Sequence, residues 1–234
     1  LVQIAVEPTG QEQTSQWLPI RRERPDWVLM WGWGVQNQVA IQEAANINFP
    51  MDHFIGNWWA GSENDVIPAG AGADGYLALN MHNIGTDFPL YDDLQTYVID
   101  PGLAAGAGDQ FGSVLYSRGM YAAMLAAEAI KTAQEIHGTA TITPEQMRDG
   151  MEALVITEEL MAELGLPNFG PAFEVTCENH GGPGLGYVQQ WDADTQTWSL
   201  VTDLIASDRE VIDALIEEDS MAYAEENGIE TRCQ

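Results

Sequence analysis

The sequence predicts an α/β fold with a parallel sheet, and three observations lead there. Short β-rich runs alternate with helical patterns over the first 81 residues, the rhythm of βαβ units whose sheet is covered on both faces. A chain of 234 residues with 45% hydrophobic content can bury the core of one large domain or two small ones. Two of the apolar runs, DWVLMWGWG (26 to 34) and HFIGNWWAG (53 to 61), end in tryptophans followed by glycine. In an open parallel sheet such ends border the ligand crevice.

Taken in order, LVQIAVEP reads as a strand, TSQWLPIRRER as a helix, WVLMWG as a strand, VQNQVAIQEAANI as a helix and HFIGNWW as a third strand. Pro19 demands a kink or a late start in the first helix. Val35, Val39, Ile41 and the stretch 44 to 47 give the second helix an apolar side. SENDVIPAGAGADG leads into a fourth strand at 76 to 81. Residues 83 to 110, rich in Gly, Pro and Asp, read as a connection with one short helix near Tyr91 to Val98. A long helix is expected over 111 to 137, stopped by Gly138. Thr143, Pro144 and Gln146 form a capping box with proline at the first helical position, and a short helix covers 158 to 164. Strands then return as FEVTC, GYVQQW and TWSLVTD, the last two forming a hairpin around DADTQ. Ser207 with Glu210 is expected to cap a final helix reaching about Gly228.

The charge balance is extreme: 36 acidic residues against 8 basic, a formal charge of -28, with Lys131 the only lysine. Such a field repels phosphate backbones and argues against nucleic acid as a partner and against anionic membrane surfaces. An acidic surplus also suits a salt-adapted, halophilic surface, because molar salt shortens the Debye length to ~3 Å. The longest apolar stretch, GMYAAMLAAEAI, falls short of the ~20 residues of a bilayer span. Neither an initiator Met nor a signal segment opens the chain, and a first residue already inside a strand suggests a missing beginning. Cys177 and Cys233 are expected to bridge in an oxidising compartment, tying down the tail; two free thiols are the alternative.

Tryptophan marks the candidate site. Its large face seeks burial while its N–H seeks a partner, yet Trp31, Trp33, Trp58 and Trp59 cluster at two strand ends. They are the expected walls of a pocket for a small amphipathic solute, with Asn57 offering a directed hydrogen bond. The plainer account is that about half of them plug the sheet, since neighbours on a strand face opposite sides; Trp27, earlier in its strand, is expected in the core. Strand, G-x-G and helix also invite a dinucleotide reading, but Asn37 stands in the place of the third glycine. His53, His82, His137 and His180 show no metal-ligand spacing, and neither a metal nor a cofactor is implied. Cys177 and His180 stand three apart, which a bridge for Cys177 explains more simply than nucleophilic chemistry. Glu63 and Asp65 suit a helix start; the functional alternative is a cation contact at the pocket edge. No nucleophile elbow, phosphate loop or catalytic carboxylate pair is visible, so the chain reads as a binder and not as an enzyme.

The succession QTSQWLPIRRERPDWVLMWGWG, IQEAANINFPMDHFIGNWWAG, YLALNM, YSRGMYAAMLAAEAIKTA and YVQQWDADTQTW resembles the type I periplasmic substrate-binding proteins of branched-chain amino acid (Leu/Ile/Val-type) ABC transporters, over nearly the whole chain. The resemblance implies two doubly wound lobes, with solute trapped between them as they close about a hinge. Residues 1–82 would be most of the second lobe, 83–172 a mainly helical segment returning to the first, and 173–234 the crossing strands, hairpin and C-terminal helix on the second. Most of the first lobe, which in the family contacts the ligand carboxylate, would be missing, as in an N-terminally truncated chain. The implied partners are a small solute and a membrane permease; the location is periplasmic or extracellular, with lipid anchoring an option, and the intact protein is monomeric. By the same resemblance Trp33 is the pocket aromatic, and Trp58 stands where the family places an acid for the ligand's α-ammonium. An ammonium buried without a countercharge is heavily penalised. The ligand is therefore expected to be an aromatic or aliphatic carboxylate or a quaternary ammonium, unless Glu63 supplies the acid from a shifted position and admits an amino acid. A sensory receptor domain of the same fold is the nearest rival, a nucleotide-dependent α/β enzyme the more distant one.

The acidic surface predicts salt dependence. Denaturation midpoints are expected to fall as salt is lowered from molar to millimolar, and a midpoint indifferent to salt would refute the adaptation.

Overall fold

Alternating apolar residues set the sheet, and the computed structural model, which describes residues 1–7, 10–106, 108–230 and 232–233, shows where they pair. In chain order the elements are α1 (Thr14–Glu23), β1 (Val28–Met30), α2 (Val35–Asn46), β2 (Phe54–Gly56), α3 (Glu63–Val66), β3 (Leu77–Asn80), α4 (Pro89–Leu94) and α5 (Val114–His137). These are followed by α6 (Pro144–Met151), β4 (Val155–Ile156), α7 (Glu158–Glu163), β5 (Phe173–Glu174), β6 (Leu185–Asp192), β7 (Thr197–Leu200), β8 (Ile205–Ala206) and α8 (Arg209–Asn227). The chain forms two compact units, residues 1–87, 95–117 and 186–203 in one, and residues 88–94, 118–185 and 204–234 in the other.

The first unit is built on strands in the order β1-β2-β3-β6-β7. β1, β2 and β3 run parallel, with Val28 opposite Phe54 and Ile55 opposite Leu77. β6 is antiparallel to β3 and hairpins into β7, setting Trp191 opposite Trp198. This is the α/β arrangement expected over β1, β2 and β3, but the late hairpin joins antiparallel to β3, so the sheet is mixed rather than wholly parallel. Phe54 on β2, the middle of the three parallel strands, is fully buried beside Trp17, Ile41, Tyr76 and Trp191. Its ring meets Trp17 and Tyr76 edge to face at 5.4 and 5.1 Å, the geometry that aromatic quadrupoles favour. α2 packs through Ala40, Ile41 and Ala44, while Val35 is exposed and Gln36 and Asn37 are buried instead.

Two expectations fail in this unit, and a third is narrowed. Residues 1–7 are not a strand: Leu1, Val2 and Ile4 stay exposed and the segment pairs with no β neighbour among the described residues. Alternation supplies strand propensity, but a ladder requires a partner edge. Trp27 is half exposed rather than core, because it precedes β1 and stacks on His53 at 4.7 Å. Of the two alternatives at Pro19, the late start is excluded, since Pro19 sits inside α1 rather than in its first turn.

In the second unit, the part of α5 from Arg118 onward, α6 and α7 carry the packing. α5 ends at Gly138, whose φ of 63° is the left-handed stop expected there. The capping box at Thr143 forms, with Thr143 Oγ1 accepting from Gln146 N–H and Gln146 Oε1 from Thr143 N–H. Gly150 lets α6 approach α5, since a Cβ there would lie 2.4 Å from the Ala129 carbonyl oxygen. Phe169 packs edge-on to Phe88 and Tyr121. Of FEVTC only Phe173 and Glu174 form strand, paired to β4. The last helix is capped by Asp208 rather than Ser207, its carboxylate accepting from Val211 N–H; the Ser207 N–H is instead committed to Gly184 O at 3.0 Å.

The expected bridge is present: Cys177 and Cys233 are disulfide-bonded with Cα atoms 5.5 Å apart. Arg232 pairs with Glu152 beside it and holds the Glu152 carboxyl below its usual range, chiefly by hydrogen bonding. Closing a loop across 56 residues restricts the unfolded chain by an amount worth roughly 2–4 kcal/mol. The double variant Cys177→Ala/Cys233→Ala is accordingly expected to lose stability of that order in denaturant unfolding, and an unchanged midpoint would refute the staple.

Candidate functional site

The carboxyl ends of β1 and β2 bring three of the predicted tryptophans together. β2 stops at Gly56, and a 3-10 turn over Trp58–Ala60 follows. Trp33 meets Trp59 nearly perpendicularly, 80° at 5.4 Å, and Trp59 meets Trp58 at 49° and 4.8 Å. The rings make an L-shaped indole corner. Trp33 and Trp59 remain 54% and 40% exposed while Trp58 is half-buried, so faces stay open to a solute. Trp31 lies apart. Trp31 follows directly after β1 and is exposed like Leu29 on that strand, and it lines a cavity of about 680 Å³ with Trp17, Ile20 and residues 1–4.

Two glycines allow the turn its position. A Cβ on Gly56 would sit 2.1 Å from the Tyr76 hydroxyl, and one on Gly61 would lie 2.8 Å from Ala78 Cβ and 3.0 Å from Gln189 Nε2. Both approaches exclude any side chain.

Behind the corner runs a buried polar network that sequence reasoning missed. Asn37, in the first turn of α2, donates to the Trp59 carbonyl at 2.9 Å and to Asp65 Oδ1 at 3.0 Å. Asp65 Oδ2 accepts from the Ser62 N–H and hydroxyl at 2.9 and 2.6 Å. Tyr76 donates its hydroxyl to the Ala60 carbonyl at 3.0 Å, and burial, aided by Asp65, pushes its pKa well above the usual phenol value. From β6, Gln189 donates to the Gly61 carbonyl at 2.7 Å and accepts from Asn80 at 2.9 Å. Thus every peptide carbonyl from Trp59 to Gly61 accepts from a buried side chain. The signal was present at Asn37, a polar residue on the apolar side of a helix, noted only as the wrong residue for a dinucleotide motif. In the fold its Oδ1 sits 2.8 Å from where a Gly32 Cβ would be, so it closes the space in that motif.

Asn57 is 4% exposed, and among the described residues neither its Nδ2 nor its Oδ1 finds a partner. A buried amide in that condition needs an explanation, and it immediately precedes the indole turn. Glu63 accepts the Val114 N–H on both carboxylate oxygens at 3.2 Å and so caps the start of α5. Glu63 and Asp65 do open a helix, the short α3. Among the described residues no group of His, Cys, Asp and Glu could hold a metal ion, and no helix is long and apolar enough to cross a membrane.

A family profile described as periplasmic binding protein matches residues 1–196. Among solved structures, one from the Pseudomonas fluorescens group described as an ABC transporter permease superposes with a TM-score of 0.89 at 40% identity, covering 99% of this chain and 56% of that one. A branched-chain amino acid ABC transporter protein from Thermus thermophilus with bound valine gives 0.67 at 19% identity over 89% and 53%. A solute-binding protein from R. palustris in complex with benzoate gives 0.52 at 15% over 85% and 49%. The last two show the fold alone. The chain spans about half the length of these structures. Comparison with curated proteins finds no match.

The network predicts that Gln189→Leu, which strands the Gly61 carbonyl and the Asn80 amide, costs about 1–3 kcal/mol and shifts indole emission. Unchanged stability and spectrum would show that the turn is held by other means.

Proposed function

Since this chain belongs to the periplasmic binding protein family, with the type I fold, we propose that it serves as the extracytoplasmic solute-binding component of an ABC importer of the branched-chain amino acid type. It delivers a small amphipathic solute to a membrane permease without chemical change. The observation that carries this reading is the open indole corner at the carboxyl ends of two parallel strands, where α/β sheets hold ligands. Trp33 and Trp58 act as pocket walls, Trp59 as backing or rim, and Asn57 as the directed polar contact, while Trp31, which lines a separate cavity, takes no part. Glu63 lies at the site's edge.

The fold suits the role. Binding proteins hold solute in a crevice between two lobes and release it on opening, which requires rigid walls and no reacting groups. Here the walls are rings of limited rotamer freedom, positioned by a buried network. The solutes of similar folds, valine in one structure and benzoate in another, share an apolar body and a carboxylate, and an amino acid or an aromatic or aliphatic carboxylate is the solute class this reading favours.

The test is a thermal-shift screen of the full-length protein against amino acids, aromatic acids and betaines. A bound solute at a hundredfold excess over its dissociation constant stabilises by about 2.7 kcal/mol, a readily measured rise in Tm. A rise with one solute class, abolished by Trp33→Ala together with Trp58→Ala, is the expected result. Absence of any shift across all classes would overturn the assignment.

A further inference from the structure

Resting on the solute-binding reading but departing from the carboxylate class named there, we propose a different ligand chemistry for the same site: a methylated ammonium, gripped by the indole corner of Trp33, Trp58 and Trp59. Four observations converge on it. The rings meet at 80° and 49° and keep accessible faces, so a compact cation can lie against more than one indole. Indole is the best side chain for cation–π attraction.

The carboxylates of this turn are already committed. Glu63 caps the Val114 N–H with both oxygens, and Asp65 holds Ser62 and Asn37. A primary ammonium requires acceptors for its three N–H groups, which this corner supplies poorly. A trimethylammonium carries no N–H and requires none.

Cationic side chains lie elsewhere in this unit. Its only arginines and lysines are Arg21, Arg22 and Arg24, on the last turn of α1 and its cap. The chain passes from there directly into the start of β1, so they stand at the amino ends of the parallel strands, opposite the indoles. An anionic headgroup at the corner therefore meets none of these three arginines. A chain of formal charge -28 draws cations towards itself and repels anions.

The experiment is calorimetric titration of the full-length protein with choline, glycine betaine and 3,3-dimethyl-1-butanol, the uncharged carbon isostere of choline, alongside L-leucine and benzoate. Saturable binding of choline or glycine betaine is expected, with the isostere weaker by about 3- to 30-fold. Trp33→Leu and Trp59→Leu should each weaken the cation by a comparable factor, while Trp33→Phe, which keeps a smaller ring face, should fall between. Equal affinity for choline and its isostere would overturn the proposal, since shape alone would then explain binding. Binding of leucine or benzoate without either methylated ammonium would also overturn it, while leaving the solute-binding function intact. Failure of every solute to bind would remove both.

Discussion

The turn from Asn57 to Ser62 stands where it does because buried amides, a phenol and a carboxylate hold its backbone, and the rest of the candidate site depends on that. Peptide carbonyls withdrawn from water need partners, and here the partners come from three elements: Asn37 on α2, Tyr76 just before β3, and Gln189 on β6. The restraint is long-range in sequence, Gln189 reaching Gly61 across 128 positions. The late hairpin therefore does more than complete the sheet. It pins the loop that presents two of the indoles, so the return of the chain to this unit and the shape of the site are one structural fact.

That arrangement resolves the conflict posed by tryptophan at a strand end. A half-exposed indole in water is poorly placed, and three in contact are worse unless they are held ready for something. Rigid support allows the rings to keep faces open without collapsing onto the core, and a preorganised wall loses little freedom when a guest arrives. The acids nearby are used up in architecture. Asp65 completes the network and Glu63 caps α5, so the local chemistry is that of π-faces in a negative field.

The second unit answers a different constraint. It lacks a broad sheet, and its order comes from helix crossings such as Gly150 against Ala129, from the Phe88, Tyr121 and Phe169 cluster, and from the bridge between Cys177 and Cys233. The bridge fixes Cys233 near Glu152, where Arg232 adds a charge-assisted contact, so residues 232 and 233 are held twice.

The sequence by itself determined the alternation of strands and helices, the capped start of α6, the acidic start of α3, the glycine stop of α5 and the hairpin, because each depends on local spacing; it favoured the disulfide, which the fold then closed. The crowding of Trp33, Trp58 and Trp59 was legible for the same reason: strand ends in a parallel sheet share an edge. Only the tertiary structure decided that Trp31 and Trp27 stand apart from that group, that residues 1–7 pair with no strand, that Asp208 rather than Ser207 caps α8, and that Asn37 and Gln189 are the hidden supports. Those outcomes rest on which groups meet across long stretches of chain, and neither periodicity nor propensity encodes a meeting between residue 61 and residue 189.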